Sequence, residues 1–428
     1  MTEQEIRALG PAFTGYLERF QSCFLQKRTA AHFRTFCRGL LSDLPRKSVE
    51  PIALEAGTAT RTLQEFLVTS NWDHARALDL LHQRLGRVLD EHPPDDLGTV
   101  GVIDETSSRK WGDHTPGVQR QYLGCVGKID NGIVTVHVGA ARGTFQALLD
   151  ADLYLPESWA ADRPRCQAAR IPDDVDYRPK WRIALDQLIR LAHHGVSFDW
   201  LTFDEGYGSK VPFLHILGAM GQKFVAEVPT NFYAQRLPSA PMCRVDALQP
   251  GQSTEAWTRY HLTRRTVAKQ VWRARGMRVW AADRWLLLVT AVNEATGEVK
   301  YLTTNAIHEP LERVLRVAFR RATIEHAFRL AKQEAGLMDY EGRLYQGLMR
   351  HLILATIVLG FVAEQTDRLR GEKSGGHGRA SVPGAQPGVC APPAATTEHP
   401  RVAAYERGYP VSPGAEPASR RIPQEAAA

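Results

Sequence analysis

Cysteine is scarce and dispersed in this chain. Its six thiols, at Cys23, Cys37, Cys125, Cys166, Cys243 and Cys390, form no C-x-x-C pair and no Cys/His cluster of zinc-finger spacing. Neither a disulfide framework nor a structural zinc site is therefore expected to organise the fold, and the thiols are expected to be reduced, buried and inert. Long apolar runs are also missing. The most apolar stretch, Leu352 to Val362, has eleven residues, too few to cross about 30 Å of hydrocarbon as a helix. It reads as a buried helix, and no membrane partner is expected. Met1 to Gly10 is polar and acidic with no apolar core, so no signal peptide is expected and the protein is read as cytoplasmic. Nor is there a heavy excess of one charge. Lys plus Arg number 53 against 47 for Asp plus Glu, a net +6, which permits a polyanionic partner without demonstrating one.

What is present is the composition of a globular protein: 428 residues, 43% hydrophobic and 23% charged, enough for two or three domains by length. Residues 1–96 read as all helix. Phe20, Phe24, Phe33, Phe36, Leu40 and Leu41 recur at helical spacing. The short helices on either side of Gly57 suggest a helix-turn-helix arrangement that binds DNA, with a plain helical bundle as the equal alternative. At Gly98 the pattern turns to strands. Thr99 to Thr106 is a β-branched run ending in acids. Tyr122 to Ile129 and Ile133 to Ala141 flank Asp130-Asn131-Gly132, which predicts a hairpin turn at those three residues. Residues 142–179 read as irregular. A helix over about Lys180 to His194, a strand ending at Asp204, a helix to about Met220 and a strand over Lys223 to Pro229 give α/β alternation. This predicts an α/β part at 97–229 and a β-rich part at 230–305. C-terminal helices follow at 306–369, and a disordered Pro/Gly/Ala-rich tail at 370–428.

Three acids stand at the ends of elements: Asp104, Asp204 and Glu325. Two-metal phosphoryl transfer needs carboxylates that hold two divalent ions about 3.5–4 Å apart, and Mg²⁺ takes oxygen ligands. A strand-end Asp is equally a turn former or helix cap. Glu105 and Glu205 are neighbours of the two aspartates, and strand alternation alone does not choose within each pair. On the late helix, at 100° per residue, Arg321, Glu325, Arg329 and Lys332 fall within an arc of about 80°. Ile324, Phe328, Ala331 and Ala335 form an apolar stripe beside that arc. The arrangement suits a carboxylate held at a cleft with cations gripping phosphates; an ion-pair ladder on a solvated face is the alternative.

Together these blocks resemble the DDE-type transposases of bacterial insertion sequences, the group described as DDE superfamily endonucleases. The resemblance covers roughly residues 15 to 365. It is carried by IDETSSRKWGDHTPGVQRQYLGCVGKIDN (Ile103 to Asn131), LYLPESW (Leu153 to Trp159), FDEGYG (Phe203 to Gly208) and IEHAFRLAKQEAGLMDYEGRLYQGLMRH (Ile324 to His351). Arg321, Glu325 and Lys332 fit the family's Tyr-Arg-Glu-Lys spacing, although its Tyr position falls on Ala318. The resemblance implies an RNase H-like mixed sheet with flanking helices. A β-rich insertion would interrupt that sheet, and an all-helical N-terminal domain would precede it. It selects Asp104 and Asp204 over their acidic neighbours as catalytic, metal-holding residues with Glu325, and two Mg²⁺ or Mn²⁺ ions as cofactors. Arg321, Arg329, Lys332, Tyr340 and Arg343 become candidate DNA contacts. Arg350 and His351 follow behind them, with His351 read as a brace. The implied activity is cleavage at the element's terminal inverted repeats and strand transfer into target DNA, on the bacterial nucleoid, by a homodimer. A decayed or domesticated transposase that only binds DNA is one alternative; an RNase H-like nuclease without strand transfer is the other. Trp257, Trp272, Trp280 and Trp285, in or near the insertion, are read as core in preference to base-stacking residues.

Overall fold

The computed structural model describes residues 3–248, 256–264, 267–322 and 334–374. Five helices come first: α1 (Glu3–Glu18), α2 (Lys27–Leu41), α3 (Val49–Glu55), α4 (Thr60–Val68) and α5 (His74–Glu91). Helical periodicity puts Phe33, Phe36, Cys37 and Leu40 on one buried face of α2, and Leu63, Phe66 and Leu67 on that of α4. Between α3 and α4 the chain reverses at Gly57. Its φ of +61° is one that glycine adopts freely, and Thr58 N–H closes the turn on the Ala53 carbonyl at 2.9 Å. Asp73 caps α5 by accepting from Arg76 N–H at 2.8 Å.

The sheet follows. Its first strands are β1 (Thr99–Arg109), β2 (Gln119–Leu123), β3 (Lys128–Arg142) and β4 (Phe145–Leu153). Then come α6 (Glu157–Ala160), α7 (Arg163–Ala168), α8 (Lys180–His193), β5 (Trp200–Phe203), α9 (Glu205–Gly208), α10 (Val211–Ala219) and β6 (Phe224–Val228). The strands β4, β3, β1, β5 and β6 are neighbours in that order. β3 is antiparallel to β1 and β4, whereas β5 is parallel to β1 and β6 parallel to β5. This is the RNase H-like mixed α/β sheet that the sequence implied.

The β-rich region does not fold apart from it. After a small pair, β7 (Tyr233–Ala234) with β8 (Cys243–Arg244), the strands β9 (Thr258–Arg264), β10 (Val267–Ala281), β11 (Arg284–Asn293) and β12 (Val299–Thr304) continue the same sheet. β12 joins antiparallel to β6. α11 (Leu311–Phe319) then packs against β5 and β6, and α12 (Tyr345–Ser374) against β4 and α5. Trp272 is buried against Phe319, with ring centroids 4.9 Å apart, and Trp280 meets Trp285 edge-on across β10 and β11.

Several sequence expectations are corrected. The hairpin does not turn at Asp130-Asn131-Gly132, because β3 runs straight through those residues. It turns earlier, where Gly127 takes a φ of +67° and its N–H bonds the Leu123 carbonyl at 2.9 Å. Asn131 instead spends its amide on the carbonyls of Lys110 and Gly112. The stretch 142–179 is not irregular: it contains β4 and two short helices. Asp150 and Asp152 disguised that strand, yet both are buried, and Arg190 grips Asp150 through two hydrogen bonds of 2.8 and 2.9 Å. Cys125 is exposed at the hairpin, not buried, whereas Cys23, Cys37 and Cys166 are buried as expected. α12 extends through Ser374, past the expected start of the tail, whose remainder from 375 lies outside the described residues. By length and apolarity α12 could cross a membrane. Its side chains at Leu352, Leu354, Ala355, Ile357 and Val358 are nevertheless fully buried within the protein.

One cation ties the two ends of the chain together. Arg350 on α12 is buried and donates to the carbonyls of Phe66, Leu67 and Trp72 at 3.1–3.4 Å, with its guanidinium 4.7 Å from the Trp72 ring centroid. It thereby satisfies carbonyls at the C-terminal end of α4 that the helix leaves open. Removing it strands several buried acceptors, each worth about 1–3 kcal/mol. Arg350→Met is expected to lower the unfolding free energy by at least about 2 kcal/mol, read as a lower urea midpoint; an unchanged midpoint would show that the contact carries no stability.

Candidate active site

The parallel register of the sheet fixes the site. Ile103 on β1 pairs with Phe203 on β5, and Phe203 pairs with Ala226 on β6. The next residue on each chain is Asp104, Asp204 or Glu227. Three carboxylates thus stand in one row across three adjacent strands, whose backbones lie about 4.8 Å apart. Asp204 lies just past the end of β5, Glu227 near the end of β6, and Asp104 inside β1, which runs on to Arg109 and does not end at its acids as the sequence suggested. Asp204 also caps α9, accepting from Gly206 N–H at 2.9 Å and Tyr207 N–H at 3.4 Å, while Asp104 accepts from Glu105 N–H at 2.8 Å. The Gly-Tyr-Gly run lets α9 lie down on β6. At Gly208 a Cβ would sit 1.9 Å from the Glu227 carbonyl oxygen, so only glycine fits.

Alternation turns Glu105 to the opposite side of β1 from Asp104. There Lys180, at the start of α8, holds it at 2.7 Å. Glu227 is paired with Lys300 of β12 at 2.5 Å. Arg321 reaches into the row, 3.5 Å from Glu227 and 4.0 Å from Asp204. Beneath the acids lies Tyr207, fully buried, whose hydroxyl has no hydrogen-bond partner among the described residues. Burial, then the charges of Glu105, Asp104 and Asp204, hold this phenol well above its ordinary pKa, so it stays neutral. Among the described residues no three carboxylate, histidine or cysteine groups close on one point as a metal site. The donor set nonetheless suits a divalent cation. Asp104, within β1, and Asp204, just past the end of β5, are hard oxygen donors side by side on a rigid sheet.

Of the other residues singled out by sequence, Glu325, Arg329 and Lys332 lie outside the described residues. The chain is described up to residue 322, beside Asp204, and again from 334, where it is fastened near the far end of β1. Lys110, just past β1, donates to the Met338 and Tyr340 carbonyls at 3.2 and 2.6 Å, and burial pushes its pKa down to about 8. Lys47 donates from its side chain to the Glu334 carbonyl at 2.7 Å and from its backbone to Asp339 at 2.8 Å. Tyr340 is buried, with its hydroxyl on the Leu344 carbonyl at 2.8 Å, whereas Arg343 is exposed. Arg350 and His351 are buried, and His351 bonds the Gly336 carbonyl at 2.8 Å. Sequence reasoning missed Glu227, Lys300, Tyr207 and Lys110. Glu227 had left a signal, a lone acid inside the apolar strand KFVAEVP.

Comparison with known proteins identifies relatives of the chain. The profile of a family described as DDE superfamily endonuclease matches residues 19–285. A protein of Microchaete diplosiphon named as a probable transposase for insertion sequence element IS701 is 33% identical over 227 residues. That match covers 52% of this chain and 55% of the relative, so the chain spans little more than half of the relative's length.

The clamp on residues 334–341 should be pH-sensitive. Burial depresses the His351 pKa to about 4, against about 6.5 for an unfolded histidine. As pH falls through that interval the unfolded chain takes the proton first. The contribution of neutral His351 is therefore complete above about pH 6.5 and lost toward pH 4, at up to about 1.4 kcal/mol per pH unit. Urea midpoints measured from pH 7 to pH 4.5 should fall more steeply for the wild type than for His351→Gln; parallel curves would remove this residue as the cause.

Proposed function

The chain belongs to the DDE superfamily endonucleases, and on that premise we propose that it is a transposase that cuts DNA at the ends of its element and joins the freed 3′ ends to target DNA. The observation that supports this most is the register that sets Asp104 of β1 beside Asp204, just past the end of the adjacent parallel β5. With Glu325, four residues beyond Arg321, they are proposed to hold two Mg²⁺ or Mn²⁺ ions. Such a pair supplies an activated oxygen nucleophile and charge stabilisation at the leaving oxygen.

The protein's own groups have separable roles in this reading. Asp104 and Asp204 orient the ligand oxygens, and the rigid sheet backbone keeps that geometry fixed. Arg321 balances the acidic row through Asp204 and Glu227, and together with Arg329, Lys332 and the exposed Arg343 it faces the phosphate backbone. Such contacts make affinity fall steeply with salt. Tyr340, buried with its hydroxyl engaged, acts by positioning the segment that carries Arg343. The helices of residues 1–96 are proposed to read the terminal inverted repeats. Residues 97–229 and 306–369 form the catalytic part, 230–305 the insertion and 370–428 a tail. Pairing of two ends calls for a homodimer, acting on the nucleoid in the cytoplasm.

A strand-transfer assay tests this, with labelled element ends, Mg²⁺ and a plasmid target. Asp104→Asn, Asp204→Asn and Glu325→Gln should each slow cleavage at least about a hundredfold, since a bound ion is worth several kcal/mol and each 1.36 kcal/mol is tenfold in rate. Glu105→Gln should cleave normally. Full cleavage by any one of the three would remove that residue from the site. Cleavage without joining would leave a nuclease, and end binding without cleavage a DNA-binding protein.

A further inference from the structure

A second surface lies at the far end of the strand that carries Asp104. From Asp104, β1 continues five residues to Arg109, about 17 Å at the rise of a strand. There the loop after β1 and the β2–β3 hairpin gather Trp111, Tyr122, Val126 and Ile129. These are four of the thirteen large apolar side chains left exposed among the described residues, at 85%, 59%, 37% and 62%. Tyr122 and Ile129 sit directly opposite one another across β2 and β3, with β2 the outermost strand of the sheet. A loop of irregular chain would not hold such rings in place, but here Asn131 pins the Trp111 loop through the carbonyls of Lys110 and Gly112, at 2.8 and 2.9 Å.

The charge on this surface is of one dominant sign. Arg109 pairs with Asp130 at 3.1 Å and lays its guanidinium over the Trp111 ring, 4.2 Å from the centroid. Arg120 and Lys128 are exposed and, with Arg109, surround the same carboxylate. The other acid nearby, Asp113, lies 3.4 Å from His114. Three exposed cations therefore share one carboxylate on a hairpin whose alternation sets Tyr122, Ile129 and Arg120 on one face and Asp130, Lys128 and Arg109 on the other, with Trp111 against Arg109. With an arginine on one face and 85% of its surface open, Trp111 presents its other face to solvent.

We propose that this hairpin is a stacking platform for unpaired nucleotides of the DNA strand that passes the cleavage site. The proposal rests on the function argued above and adds a preferred form of its substrate. A duplex hides the faces of its bases, so exposed rings on a rigid support are useful only where bases are unpaired. Aromatic stacking with flanking cations for phosphates is the chemistry that binds such strands. The 17 Å offset from Asp104 corresponds to about five nucleotide steps of 3.4 Å. Aromatic and arginine side chains also build protein interfaces. The excess of cations, one of them on the very strand that bears Asp104 and two on the hairpin beside it, favours the polyanion over a second copy of the chain.

The test uses the full-length protein in EDTA, so that no cutting occurs. Fluorescein-labelled duplexes, blunt or with a short unpaired thymidine tail, report binding by anisotropy. The wild type should bind the tailed duplex more tightly. Trp111→Ala/Tyr122→Ala should weaken tailed-duplex binding roughly tenfold or more and leave the blunt duplex unchanged. Arg120→Glu/Lys128→Glu should weaken both and flatten the salt dependence. Thermal unfolding of each variant matching the wild type would exclude misfolding. Tailed-duplex affinity of the aromatic double variant equal to that of the wild type, or a wild type that binds both duplexes equally, would overturn the proposal. So would a wild-type dimer that this variant dissolves while DNA binding stays intact, which would make the hairpin a self-association face. A separate cleavage assay in Mg²⁺, comparing the wild type with Asp104→Asn, separates the two readings. If cleavage depends on Asp104 but tail preference is absent, only the platform falls; if tail preference depends on Trp111 and Tyr122 but no cleavage occurs, only the transposase reading falls.

Discussion

Everything at this site depends on the parallel pairing of β1 with β5 and of β5 with β6. Parallel strands end at the same edge, so any side chain one step past their last paired residues meets its counterparts there. Residues a hundred positions apart, Asp104 and Asp204, become neighbours through four pairs of register between Val100–Ile103 and Trp200–Phe203. A slip of one residue would turn one of the acids to the other face of the sheet. The buried side chains of β5 and the apolar residues of β1 hold that register in place.

Around this edge the charges are arranged so that the acids tolerate one another. Lys180 takes Glu105, Lys300 takes Glu227, and Arg321 lies between Glu227 and Asp204. Two of these cations come from outside the first part of the sheet, one from the strand that joins the insertion and one from the segment after α11. The β-rich region is therefore a structural part of the acidic edge as well as an extension of the sheet. Tyr207 beneath it stays protonated because burial and the surrounding carboxylates both oppose a phenolate.

Much of this was legible in the sequence, for identifiable reasons. Helical periodicity and the break at Gly57 gave the N-terminal helices, a β-branched run gave the first part of β1, and an apolar stretch stopped by acids and glycines gave β5. The three motif blocks named the family and chose Asp104 and Asp204. Other features were hidden because tertiary contacts overrode local signals. β4 looked like loop because its aspartates could be buried only with arginines that arrive from α8 and the segment before it. The Asp-Asn-Gly run looked like a turn, but its Asn amide serves the neighbouring loop. Glu227 was visible only as a charge in an apolar strand, and its place beside Asp204 is a product of strand order. Arg350 was grouped with the surface cations, since nothing local indicates that its three acceptors lie near Trp72.

The helices at the start of the chain and α12 near its end share a single core. The Tyr16 hydroxyl bonds the Ile357 carbonyl at 3.1 Å, Phe13 packs on Phe361, and Arg84 holds Glu364 through two hydrogen bonds. α12 in turn lies on β4, inside the sheet that carries the acids. The leading helices are thus bolted to the blade and do not hang from it on a tether. A protein built this way has the geometry of a caliper: the spacing from the leading helices to the row of acids is set by packed side chains and does not drift with the slack of a linker.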